Sequence, residues 1–403
     1  MAKNSYLLTD GGLKNTASHV QKKGFESDTK TLRKKVIQSL KKQGFLFDGQ
    51  KISLPEYIDK EGIRQLHQEA VQTRIARSKE GLIRREARLL SYIASGREVD
   101  PDKISPRLVE VKPNTENELL FRYATLHWSI PVSSGYGRRL RFLIFDQNNG
   151  KLIGLFGLGD PVFSLAARDK WVGWNKEQRG ERLKHVMDAF VLGALPPYSY
   201  LICGKLVAML LASDEVREAF RKKYSGQTSL INRESFDGRL VLITTTSALG
   251  RSSIYNRVNC NGRGLFHRIG YTSGSGEFHF ANGLYTELSR FAGLHCQPTA
   301  KQERWGVGFR NRREIVRKVL SLLGLPDNLI YHQVQREVFA IPLAANTQQF
   351  LRGEHERVLW YHMSVQEIFD YFKDRWLMGR AERDSSYRKF RSSSYALWMK
   401  KED

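Results

Sequence analysis

The chain has few cysteines. Cys203, Cys260 and Cys296 stand alone among 403 residues, with no CxxC pair and no paired spacing for zinc. They fit buried thiols in a reducing cytoplasm. No run of eighteen apolar residues reads as a membrane span, and the start, MAKNSYLLTDGGLKN, lacks the apolar core of a secretory signal, so the expectation is an intracellular protein without a membrane anchor. No repeat of solenoid length occurs. Acidic residues are scarce beside basic ones. Those of the central region, Asp146, Asp160, Asp169 and Asp188, are scattered over turns and strand starts, without nuclease or metal spacing. No metal is expected.

What is present is enough to fold: 41% hydrophobic and 11% aromatic residues can bury a core. Sixty-five Lys+Arg against 42 Asp+Glu give a net charge of +23, which favours phosphate-rich partners and salt-sensitive binding. Nucleic acid is the leading partner class; an acidic protein subunit is the alternative.

Residues 1–28 are polar and read as a flexible arm. Residues 29–100 read as a basic helical region, with Leu32, Val36, Ile37 and Leu40 at helical spacing and Asp48-Gly49 as a hairpin turn. A second helical stretch over 59–95 breaks near Gly81. Its charged face, Arg74 to Arg88, is either solvated or a phosphate-contacting stripe. The proline-containing segment 96–115 reads as a connection. Residues 116–291 follow as an α+β core: a hairpin at Asn148-Asn149-Gly150, a buried strand over 187–195, a long helix over 204–224 and a strand over 240–246. Parallel neighbours need a crossover, so the two strands are expected side by side with that helix between them. Residues 300–403 form a basic C-terminal extension.

The stretch 239–280 concentrates the chemistry. A β-branched strand meets Ser247, Gly250, Arg251, Ser252, Ser253, Tyr255, Asn256 and Arg257. Ser253 and Tyr255 read as a hydroxyl pair for acid catalysis or as a cap and a core edge. Ser273-Gly274-Ser275-Gly276 reads as a hairpin turn or a phosphate cradle before an alternating strand over 277–280. His127 and His279, beside aromatics, read as packed histidines. Trp128, Trp171, Trp174 and Trp305 interleave with Arg138, Arg139, Arg168, Lys170 and Arg304, with 168–174 read as an exposed loop. That pattern suits stacking on unpaired bases or plain packing under arginine stems. Arg251, Arg257, Arg310, Arg312 and Arg313 complete the candidate nucleic-acid contacts.

Long strings carry a resemblance: LHWSIPVSSGYGRRLRFLIFD (126–146), GLGDPVFSLAARDKWVGW (157–174), MDAFVLGALPPYSYLICGKLVA (187–208), TTTSALGRSSIYNR (244–257) and GFRNRREIVRK (308–318). From residue 62 on, the chain resembles the DruA family of the Druantia anti-phage defence system. The resemblance implies antiviral immunity beside other Druantia proteins, including a helicase-like subunit, and supplies no catalytic residue. The core over 140–280 also resembles the GCN5-related acetyltransferase (GNAT) fold, in its Mom-like branch. This implies a mixed central sheet flanked by helices, with 187–195 as the cofactor strand and the start of 204–224 facing a pyrophosphate. The usual glycine-rich cofactor loop is replaced by PPYSYLICG (196–204), whose bulky side chains are expected to obstruct phosphate approach. Phe266 stands where many acetyltransferases carry a proton-donating tyrosine. The cofactor is therefore unassigned. Three readings remain open: a nucleic-acid-binding subunit with a non-catalytic GNAT-like core, an acyltransferase-like enzyme, and an adaptor for acidic subunits. The number of copies that assemble is likewise open.

Overall fold

The structure, a computed structural model, describes residues 13–132, 137–228, 235–299, 305 and 309–399; of 13–24, 309 and 310 it describes the backbone alone. It forms two compact units, one of residues 1–70 and 275–333, the other of 71–274 and 334–403. No described helix is long and apolar enough to cross a membrane.

In the first unit the helix Leu13–Lys42 begins ahead of the stretch read from sequence and buries Leu32, Val36 and Leu40. The Asp48 carboxylate accepts the Gln50 and Lys51 N–H groups and closes the small hairpin of Leu46–Phe47 and Ile52–Ser53. The helix Phe309–Leu322 turns Ile315, Val316, Val319 and Leu320 inward at helical spacing. The strand expected over 277–280 is instead a 3-10 turn, Phe278–Phe280. Alternation failed there because His279 and Phe280 are both fully buried, with the Gln43 amide donating to the His279 carbonyl.

The second unit is built on a seven-stranded mixed sheet. Its strands are β1 (Pro106–Glu110), β2 (Arg139–Asp146), β3 (Leu152–Gly159), β4 (Val186–Ala194), β5 (Leu242–Thr246), β6 (His267–Tyr271) and β7 (Glu337–Pro342). They lie in the order β6-β7-β5-β4-β3-β2-β1. All neighbours are antiparallel except β4 and β5, which are parallel as expected. The crossover is two helices, α1 (Cys203–Leu210) and α2 (Asp214–Tyr224), where one was expected. Ser213 has extended backbone angles and starts the second helix, whose first turn carries Asp214 and Glu215 where the dipole favours anions.

One sheet face packs Phe142, Ile144, Phe156, Met187, Ile243 and Phe339 into a core with Leu206, Leu210, Phe220 and Phe369. The other face has two separate clusters, Leu143, Phe145 and Leu155 with Leu120 and Phe121, and Val186, Leu242 and Ala340 with Val172, Phe350 and Leu351. Three expectations are corrected here. The proline-containing connection supplies an edge strand, β1. The turn at 273–276 does not lead back into a neighbouring strand, because the residues after it form the 3-10 turn Phe278–Phe280, and β7, far along the chain, is what pairs with β6. Residues Ala166–Val172 are a helix, not an exposed loop, with Arg168 and Val172 buried.

Candidate functional site

The parallel pair β4 and β5 is bonded only over residues 186–189 against 242–245. Beyond Ala189, β4 stays paired to β3 through Val191, Leu192, Gly193 and Ala194, while Phe190 is an extra residue where the register shifts. A bulge of this kind bends a strand and turns it from its neighbour. The two strands fork, and a cavity of about 630 Å³ lies at the opening. Gly193 to Pro196 at the end of β4, Gly204 and Lys205 at the start of α1, and Ser253 and Ile254 after β5 line it. His127, Trp128 and Tyr395 supply a further side.

The segment between β4 and α1 divides its bulk, part of it turning into the core and part lining the cavity. Tyr198 and Leu201 are fully buried in the core, and the Tyr198 hydroxyl donates to the Asp146 carboxylate at 2.9 Å. Ile202 and Ser199 reach the cavity. Ile202 adopts a left-handed φ of 53°, a costly conformation for a β-branched residue, and there the chain turns into α1. Gly204 follows, with no side chain between its backbone and the cavity.

The mouth is positive. Burial, then Arg257 and Arg375, push the Lys205 ammonium below its usual range, while the Trp376 ring supports it at 4.5 Å. Arg257 and Arg375 are exposed, as is Arg251 in the turn after β5, and no ion pair to any of the three is formed among the described residues. Where the paired run of β4 ends, the Thr244 hydroxyl donates to the Asp188 carboxylate at 2.9 Å, and loss of water around Asp188 pushes it up to about 6.

The candidate hydroxyl pair separates. Ser253 lines the cavity, while Tyr255 stacks its ring on Phe266 at 5.0 Å and edge-on to Phe339 at 5.3 Å. Burial holds the Tyr255 phenol above its usual range. The turn itself is pinned by the Ser252 N–H, which donates to the buried Glu337 carboxylate at 2.7 Å.

The candidate cations also divide. Arg168 is completely buried, donating to the Val162 and Phe163 carbonyls and to Asp169, whose carboxylate also accepts the Trp174 indole N–H and Arg179. Its guanidinium is spent inside the fold and cannot meet a phosphate there, a correction to the reading of this stretch as exposed. Arg138 donates to Asp160 and to the Lys184 and Val186 carbonyls, over the Phe220 ring. Arg139 bonds through its backbone to the Tyr224 hydroxyl. Trp171 is half-buried and Lys170 exposed. Arg312, over the Tyr285 ring, and Arg313, 3.9 Å from Glu277, belong to the other unit, as does Trp305. The Arg310 side chain and Arg304 lie outside the described residues.

Sequence reasoning missed Lys205, Arg375 and Tyr395, and read Asp188 only as one of the scattered acids. Lys205 had a local signal, its place in the first turn after a strand. Tyr395 had none, because some 270 residues separate it from its partner His127.

The family described as Druantia protein DruA matches residues 57–353. The Druantia protein DruA of Escherichia coli (strain UMEA 4076-1) is 43% identical over 359 residues, covering 89% of this chain and 89% of that protein. No solved structure matches the chain. The match across most of the chain and that level of identity establish that the chain belongs to the DruA family.

Proposed function

We propose that this DruA-family chain is an anti-phage defence protein of a Druantia-type system, acting in the cytoplasm beside other Druantia subunits, one of them helicase-like. In this reading it binds nucleic acid through a basic surface, around a GNAT-like core that performs no chemistry. The observation that carries it is the group of cations without an ion pair among the described residues at the fork: Lys205 lines the cavity, and the exposed Arg257 and Arg375 crowd it with like charge. A polyphosphate strand relieves that repulsion and releases counterions as it binds. The packed Tyr255 ring supports the non-catalytic part, since a phenol raised by burial is a poor proton donor near neutral pH. The strand order, with one parallel pair that forks, supports the GNAT-like description. Fluorescence anisotropy with labelled single-stranded DNA, duplex DNA and RNA across a salt series tests the reading. A flat response, or no binding at low salt, leaves the adaptor for acidic subunits as the survivor.

One observation favours the acyltransferase-like reading. The cavity has the start of α1 and a side-chain-free Gly204 on one side and Ser253 on the other, an arrangement able to take an extended anionic donor. Calorimetry with acetyl-CoA, and mass spectrometry of whatever co-purifies, decides between the two readings.

A further inference from the structure

Glu86 is fully buried, yet no cation pairs with it among the described residues. Its carboxylate accepts the backbone N–H groups of Leu397 at 2.6 Å and Met399 at 2.7 Å, with Trp398 at 3.1 Å between them, and the Tyr123 hydroxyl at 2.8 Å. Three successive amides closed around one carboxylate form an anion nest, here made by the C-terminal segment for a residue of the core. The same segment stacks Tyr395 flat on His127, ring centroids 3.6 Å apart, and both residues line the cavity. Beneath Tyr395, Nε2 of His127 is buried without a hydrogen-bond partner, and burial holds the imidazole neutral down to about pH 4. Glu86 and Tyr123 thus gather a carboxylate and a phenol under the segment, next to the imidazole edge of His127 that Tyr395 covers.

We propose that residues 392–399 are a releasable cover, caught by Glu86, that masks Glu86, Tyr123 and Nε2 of His127 from the cavity. Of these eight residues only Tyr395 is fully buried, Leu397 and Trp398 pack half-buried at the edge of the cluster around Leu120 and Phe121, and the backbone is one short 3-10 turn, Ser392–Tyr395, followed by irregular chain. Segments with few buried contacts open locally, well below the cost of global unfolding. On release, Glu86 exchanges three amides for water of the adjoining cavity, so its charge is not stranded. The cavity then gains a carboxylate and an unpaired imidazole, groups that bind cations or move protons. What such an enlarged cavity does rests on the reading of the fork as a ligand site; the mechanics of the cover do not.

Two measurements on the full chain test it. In hydrogen exchange, the amides of Leu397, Trp398 and Met399 should exchange at least about 100-fold faster than those of β3, through an opening that leaves the sheet intact. Diethylpyrocarbonate modification read by mass spectrometry should label His127 about 10-fold faster in Tyr395→Ala and Gly96→Ala, with His185 and His279 protected throughout. A Cβ at Gly96 would stand 1.9 Å from the Tyr387 carbonyl oxygen and 2.7 Å from the Arg388 backbone, so Gly96→Ala displaces the chain that leads into the segment and leaves the Glu86, His127 and Tyr395 side chains unaltered. Exchange of the three amides at the rate of β3, or His127 labelling unchanged in both variants, overturns the proposal. Neither result bears on acetyl-CoA or nucleic-acid binding, which are measured separately.

Discussion

Arg168 and Arg257 carry the same group and are put to opposite uses. Arg168 is desolvated and held by Asp169 and two carbonyls. Removing one partner of a buried ion pair strands the other, so Arg168→Ala should cost about 3–5 kcal/mol in denaturant unfolding. Arg257 is exposed. Arg257→Ala should leave stability within about 0.5 kcal/mol and reduce the salt slope of nucleic-acid binding by about 1. An unchanged slope would remove Arg257 from the interface. Tyr255 separates ring from hydroxyl in the same way. Its ring packs on Phe266 and Phe339, so Tyr255→Ala should cost about 3–5 kcal/mol, whereas Tyr255→Phe should cost no more than one hydrogen bond, about 0.5–1.5 kcal/mol. Phage protection should survive Tyr255→Phe at matched protein levels. Its loss at unchanged stability and unchanged nucleic-acid binding would promote the enzyme.

The fork depends on β3 lying close against β4. A Cβ at Gly154 would stand 2.7 Å from the Gly193 carbonyl oxygen and 3.1 Å from the Ala194 Cα, both on the cavity-lining end of β4. Backbone cannot yield as a flexible side chain does, so Gly154→Ala should destabilise by about 1–3 kcal/mol. Three buried histidines tie other elements to pH. His127 in the cavity wall, His185 at the start of β4 and His279 in the 3-10 turn of the first unit are each pushed by burial from 6.5 to about 4. A lowered folded value means that the unfolded chain binds protons first as pH falls. Their stabilisation is whole above pH 6.5 and drains away toward pH 4, by up to about 3 kcal/mol each. Asp188, raised to about 6, works the other way, stabilising at low pH and losing that contribution as pH climbs from 3.8 through 6. The histidines outnumber it. The melting temperature should therefore fall from pH 7 to pH 5, and His279→Gln should flatten that fall. A melting temperature that holds constant over this range would contradict the burial of the three rings.

Basic charge is shared across the molecule. Residues 1–70 and 275–333 hold 21 Lys+Arg against 13 Asp+Glu, and the remainder holds 44 against 29. Both units are positive roughly in proportion to their length. Binding by the full chain should therefore engage several phosphates and show a logarithmic salt slope steeper than about −2, checked by the same anisotropy series. That slope should fall only in part when the cations of one unit are replaced.

Composition and local pattern were enough for the α+β class, the basic character, the hairpin at Asn149-Gly150 and the parallel strands with a helical crossover. Each of these follows from short-range rules of turn geometry, β-branching and crossover length. The family was legible in the same strings. What no stretch of sequence announces is which cations point outward. Arg168 and Arg257 both sit near aromatics and turns, and only the packing around them decides that one is spent on Asp169 while the other stays free. The place of β7 between β5 and β6, the fork behind the Phe190 bulge, and the cover that sets Tyr395 on His127 are decided at long range. They bring together side chains dozens to hundreds of residues apart, where local propensity has nothing to say and burial of the shared core makes the choice.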